Sequence, residues 1–145
     1  MYNPESIAYH NGEFRKLSEC NVNIMTHALQ YGTMVFGGVR AYHDASSGGV
    51  YLFRLEDHFH RLANSARIMQ MVPPISPAQM KETAVELIKR NNYKANVYLR
   101  PFIYKSALQL SPRLHDIPDA FSMYTLLLND YLDTTRGLRT MISSW

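Results

Sequence analysis

The chain has 145 residues, 46% hydrophobic and 19% charged, with a formal net charge of +3. That is one domain of ordinary length, apolar enough to bury a core, so composition excludes disorder. No apolar run reaches the roughly 18–20 residues of a membrane span, no basic-then-apolar leader opens the chain, and the single Cys20 makes no internal disulfide. These features predict no membrane role and a reducing, cytoplasmic setting.

Ile7 to Phe14 reads as a β-hairpin, because Asn11-Gly12 suits the two positive-φ positions of a type I′ turn. Asn21 to Met25 is expected to be a further strand. The run from His27 to Tyr42, HALQYGTMVFGGVRAY, is strand-like but holds a Gly37-Gly38 pair. Glycine weakens a strand, so the pair marks a bulge, a phosphate-binding turn or a tight crossing of two backbones. Asp44 to Gly49 is a loop by composition, and Val50 to Phe53 a short strand.

Two helices follow. Leu55, Phe59, Leu62, Ala63, Ala66 and Met69 share one helical face, and Pro73-Pro74 is expected to end that helix. Ser76 is an N-cap, Pro77 the first helical residue, and Gln79 completes a capping box. Met80, Ala84, Leu87 and Ile88 form the second buried stripe, stopped by Asn91-Asn92. Asn96 to Tyr104 is a strand with Val97 and Leu99 on one face and Tyr98 and Arg100 on the other. Phe121 to Leu128 is another, Arg136-Gly137 a turn, and Leu138 to Trp145 a last strand. Strands, two helices and strands again predict an α+β fold. The chain stops on an apolar, aromatic segment rather than a polar tail, which suggests a cut chain.

Ten arginines and five lysines are scattered, with no basic block, so nucleic acid is not an expected partner. Arg40, Arg61 and Arg100 are either anion-binding forks or surface ion-pair partners. Tyr31, Phe36, Tyr98, Tyr104 and Tyr131 either line a pocket or pack in the sheet. His27, His58 and His60 lack metal-ligand spacing, so structural or solvent-facing roles and no metal are expected.

Four blocks carry a resemblance. Tyr31-Gly32-Thr33-x-Val35-Phe36-x-Gly38-Val39-Arg40-Ala41-Tyr42 resembles the "HYGTxVFEGIRAY" block of branched-chain amino-acid aminotransferases. Phe53-Arg54-Leu55-Glu56-x-His58 with Arg61-Leu62-x-x-Ser65-Ala66 is similar to their "FRLEEHxxRLxxSA" helix. Asn91-Asn92 followed by Tyr98-x-Arg100-Pro101, and Ser143-Ser144-Trp145, resemble "RNN…YIRP" and "SSW" in the same order.

The resemblance implies the small N-terminal domain, over residues 1–145, of a fold-type IV pyridoxal 5'-phosphate enzyme: an antiparallel sheet with two main helices packed on it. It implies transfer of the amino group of Leu, Ile or Val to 2-oxoglutarate, amino-acid and 2-oxo-acid substrates, and a homodimer or higher homo-oligomer with shared pockets. Arg61 matches the arginine that binds the cofactor phosphate. Phe36 and Gly38 match the substrate side of the site. Tyr98 matches the tyrosine that seats the substrate carboxylate, and Arg100 the arginine for glutamate's side-chain carboxylate. Tyr31 and Leu110 match residues reaching a neighbouring subunit's pocket, and Tyr131 the aromatic of a later pocket loop.

Three departures stand out. Gly37 replaces the usual glutamate, and Leu128 stands where the family often has tryptophan. None of Lys16, Lys81, Lys89, Lys94 or Lys105 lies in a matching motif, so the Schiff-base lysine is expected after Trp145 and the fragment alone is expected to be inactive. Other fold-type IV members (D-amino-acid aminotransferase, aminodeoxychorismate lyase) and a non-catalytic binding domain are the alternatives.

Overall fold

The structure is a computed structural model that describes residues 3–127 and 135–144. Its centre is a seven-stranded antiparallel sheet: β1 Ile7–His10, β2 Glu13–Lys16, β3 Met34–Phe36, β4 Val39–His43, β5 Val50–Leu52, β6 Val97–Lys105 and β7 Asp119–Leu127. The helices are a single turn, α1 His27–Tyr31, and two longer ones, α2 Leu55–Ile68 and α3 Pro77–Asn91. The strand order is β2-β1-β7-β6-β4-β5, with β3 also paired to β6. No helix among the described residues is long and apolar enough to cross a membrane.

β6 organises the sheet. β7 runs along one edge through nine register pairs, Val97↔Leu127 to Lys105↔Asp119. Two short strands share the other edge: β4 from Val39↔Leu99 to Ala41↔Val97, and β3 from Met34↔Tyr104 to Phe36↔Phe102. Both keep one register, which places Gly37 opposite Pro101 and Gly38 opposite Arg100. The Gly37 N–H donates to the Pro101 carbonyl at 2.9 Å. Proline has no N–H to return, so the ladder breaks there.

The expected capping box is present. The Gln79 N–H donates to Ser76 Oγ, and Ser76 N–H to Gln79 Oε1. The Asn11-Gly12 turn joins β1 to β2 with φ of 50° and 98°. Asn91 serves as a splice between α3 and the sheet: its Oδ1 accepts from Ile7 N–H at 2.8 Å and its Nδ2 donates to Ile7 O at 2.9 Å.

The core lies on one face only. Phe59 and Leu62 of α2 and Met80 and Leu87 of α3 pack on Val39, Val97, Leu99, Ile103, Phe121 and Met123. At the far end of β6 a buried Lys105 reaches Asp119 at 3.0 Å, and Asp119 Oδ2 also accepts from Val72 N–H. That pair ties the two long strands to the segment joining the helices.

Four expectations need correction. Asn21–Met25 is not a strand: Val22 and Ile24 are exposed, and only a Thr26↔Leu108 bridge pairs nearby. The first five residues of the His27–Tyr42 run, HALQY, are helical rather than strand, ended by Gly32 at φ 67°. α2 stops before Pro73-Pro74, where Gln70 takes φ 54°. Residues 138–144 form no strand, and Leu138, Met141 and Ile142 are exposed. Leu128, Tyr131 and Trp145 lie outside the described residues.

Candidate active site

The sheet face away from the helices carries the even-numbered residues of β6. Register puts Tyr98 beside Arg40 and Leu126, Arg100 beside Tyr124, and Phe102 beside Phe36 and Ser122. This open face is aromatic and apolar with cations set into it. Phe36 is 54% exposed, whereas its odd-numbered neighbours on the other face are in the core.

Arg100 sits at its centre. Its guanidinium carbon lies 4.2 Å from the Phe36 ring centroid and 5.3 Å from that of Tyr98. Ring faces attract the cation but accept nothing from its in-plane N–H groups. Nε is buried and has no hydrogen-bond partner, and no carboxylate pairs with Arg100 among the described residues. Met34, Phe36, Arg100, Phe102 and Tyr124 line a depression of about 200 Å³ here. An orphaned donor in an apolar depression is a place for an anionic oxygen, because leaving it unmet costs free energy.

Gly38 is required by this arrangement. A Cβ added there would stand 2.5 Å from the Tyr98 hydroxyl oxygen and 3.0 Å from the ring carbons Cε2 and Cζ. What approaches Gly38 is neither a second backbone nor a phosphate but the protein's own Tyr98 side chain. Gly37 differs. A Cβ there meets Pro101 Cγ at 3.4 Å and Arg61 Nη2 at 3.9 Å, which is ordinary contact.

Arg61 is therefore not beside Arg100. It rises from α2 on the Pro101 side of the glycine pair, while Tyr98 and Arg100 lie on the other. The Arg61 side chain is exposed and makes no ion pair among the described residues. The neighbouring His58 is held below its ordinary pKa, first by burial and then by the Arg61 charge. An uncompensated guanidinium at the end of a sheet break is suited to a phosphate. The residues present thus fit the phosphate of pyridoxal phosphate at Arg61.

Tyr31 and the neighbour of Leu110 both meet His27, a link that spacing alone does not reveal. Tyr31 ends α1, 40% exposed, its ring 4.6 Å from that of the fully buried His27. Nε2 of His27 donates to the Ser111 carbonyl at 2.8 Å, one residue from the 79%-exposed Leu110. Ile24, Met25, Leu29 and Leu108 extend this exposed apolar patch.

All five lysines lie off the open face. Lys16 pairs with Glu5, and Lys105 is buried with Asp119 on the helix side. Lys81, Lys89 and Lys94 line a concavity of about 610 Å³ between β5 and the helices, which holds none of the predicted site residues.

Comparison with known proteins agrees with this architecture. The profile of amino-transferase class IV matches residues 34–145. A probable branched-chain-amino-acid aminotransferase of Synechocystis sp. is 39% identical over 140 residues, 96% of this chain and 45% of that protein. The branched-chain-amino-acid aminotransferase of Salmonella typhimurium is 33% identical, over 93% of this chain and 44% of its own length. The crystal structure of the Thermoproteus uzoniensis branched-chain aminotransferase with norvaline superposes with a TM-score of 0.83 at 29% identity, over 88% of this chain and 42% of that one. That of the T.th. branched-chain amino acid aminotransferase complexed with N-(5'-phosphopyridoxyl)-L-glutamate gives 0.79 at 33% identity, over 88% and 42%. The chain spans less than half the length of these relatives. Its fold is that of fold-type IV aminotransferase structures, and the chain belongs to the amino-transferase class IV family.

Proposed function

We propose that the protein carrying this chain is a pyridoxal 5'-phosphate-dependent branched-chain amino-acid aminotransferase. It moves the amino group of L-leucine, L-isoleucine or L-valine to 2-oxoglutarate, giving the branched 2-oxo acid and L-glutamate, in the cytoplasm. The observation that supports this most is Arg100, a cation flanked by Phe36 and Tyr98 with an unmet N–H in an apolar depression. One wall must serve an isobutyl or isopropyl group and also the carboxylate of glutamate. Aromatic surface suits the first, and a guanidinium held by ring faces suits the second.

The bound cofactor supplies the electron sink for chemistry at the substrate α-carbon. This chain's residues do the rest of their work by binding and orienting. Arg61 holds the phosphate. Tyr98 seats the substrate carboxylate, and Gly38 leaves room for its ring. Phe36 walls the side-chain space and keeps water from it. Tyr31 and Leu110 reach into the pocket of a second subunit of a homodimer or higher homo-oligomer. With every lysine off the open face, the covalent link to the cofactor comes from residues outside these 145, and the chain alone is inactive.

Pyridoxal phosphate titration of the full-length protein, followed by absorbance, tests the cofactor side of this reading. Arg61→Ala is expected to weaken binding of the phosphorylated cofactor about tenfold or more, while unphosphorylated pyridoxal binds as before. Equal loss of both would refute the role of Arg61. A transaminase rate from the purified 145-residue chain would refute its dependence on further residues.

A further inference from the structure

We propose that His27 is a positioning residue that joins α1, carrying Tyr31, to the 107–111 segment, carrying Leu110, so that both residues are presented to the neighbouring subunit as one piece. The proposal rests on the reading of Tyr31 and Leu110 given above.

The two segments are far apart in sequence and continue from the ends of the β3–β6 ladder, where Lys105 N–H donates to Thr33 O at 3.1 Å. Their single backbone bridge is Thr26↔Leu108. The His27 backbone N–H belongs to that bridge, and the His27 ring adds two further bonds. The backbone N–H donates to Ala107 O at 2.8 Å, the ring Nε2 lies 2.8 Å from Ser111 O, and the ring Nδ1 lies 2.8 Å from Thr33 Oγ1. A carbonyl only accepts, so Nε2 carries the proton donated to Ser111. Nδ1 shares the other hydrogen bond with the Thr33 hydroxyl, which can donate or accept. One fully buried ring is thereby bonded to the segment after α1 on one side and to the Leu110 loop on the other. The Tyr31 ring rests against it at 4.6 Å.

This is more than core packing. α1 is one turn of five residues and cannot hold its own geometry. Leu110 is 79% exposed and has no packing to fix it. Without the ring's two hydrogen bonds, Tyr31 and Leu110 are tied only through the backbone bonds of Thr26, His27 and Thr33. Misplacing a binding group by about 1 Å costs up to about a hundredfold in rate.

Kinetics of the full-length protein with leucine and 2-oxoglutarate test this. His27→Phe keeps the bulk and removes both ring hydrogen bonds, and His27→Gln restores an amide donor for Ser111. His27→Phe is expected to raise KM about tenfold with kcat changed less than about threefold, and His27→Gln to recover most of that loss. Tyr31→Ala should raise KM similarly, and adding His27→Phe to it should raise KM no further. Should Tyr31→Ala raise KM while His27→Phe only lowers thermal stability, His27 is structural and the proposal is overturned. Should Tyr31→Ala and Leu110→Ala both leave KM unchanged, it is the reading of those two residues that fails. Hydrogen exchange then decides the tie itself. Faster exchange across both 27–33 and 107–111 in His27→Phe supports it, and faster exchange in one alone overturns it. If His27→Phe does not fold, Thr33→Val removes one hydrogen bond and is expected to raise KM about threefold, and an unchanged KM overturns the proposal.

Discussion

The two faces of the sheet come from the same strands and are built to opposite rules. Along β6, Val97, Leu99, Pro101 and Ile103 are buried beneath α2 and α3, while Tyr98, Arg100 and Phe102 alternate with them and remain partly exposed. The covered face holds aliphatic, methionine and phenylalanine side chains that fill space. The open face holds rings and cations, among them Arg100 with its buried, unpartnered Nε. The difference separates folding from chemistry. One face is packed shut by the helices, and the other leaves the Arg100 Nε donor unmet.

Truncation should break the two faces differently. Phe59 is fully buried, so Phe59→Ala is expected to cost about 3–5 kcal/mol. Phe36→Ala, on the exposed side, should cost less than about 1 kcal/mol yet lower kcat/KM of the full-length protein about tenfold or more. Denaturant unfolding and steady-state kinetics read the pair. Similar stability losses would mean that the faces are not distinct.

The glycine pair sharpens the comparison within two residues. Gly38→Ala drives a Cβ to 2.5 Å from the Tyr98 hydroxyl oxygen, so the ring must move, at a cost of about 1–3 kcal/mol and with loss of activity. Gly37→Ala meets nothing closer than 3.4 Å and should change stability by less than about 0.5 kcal/mol. The smallest effect on activity belongs to a cap far from the open face. Ser76→Ala removes the acceptor for Gln79 N–H and should cost about 1 kcal/mol with kcat/KM unchanged.

What the sequence made legible follows from local rules. The hairpin turn, the capping box, both long helical stripes and the alternation of β6 each depend on residues close in the chain. Asn21–Met25 has apolar residues at strand spacing but no edge to pair with, and spacing cannot see that. α1 is too short for a periodic signal. The resemblance supplied names for Arg61 and Arg100, but not their positions on opposite sides of the glycine pair. Tyr98 and Gly38 were legible as motif residues, yet the steric reason for the glycine needs β4 and β6 in register. His27 was invisible as a link because Ser111 lies 84 residues away.

The central claim is that the open face recognises a side-chain carboxylate through Arg100 and a branched side chain through the surrounding rings. The most direct test compares kcat/KM for 2-oxoglutarate with that for a branched 2-oxo acid in the full-length protein and its Arg100→Met variant. The account predicts a loss of about tenfold to a hundredfold for 2-oxoglutarate and less than about threefold for the branched acid. Equal losses for both, or none for either, would contradict it.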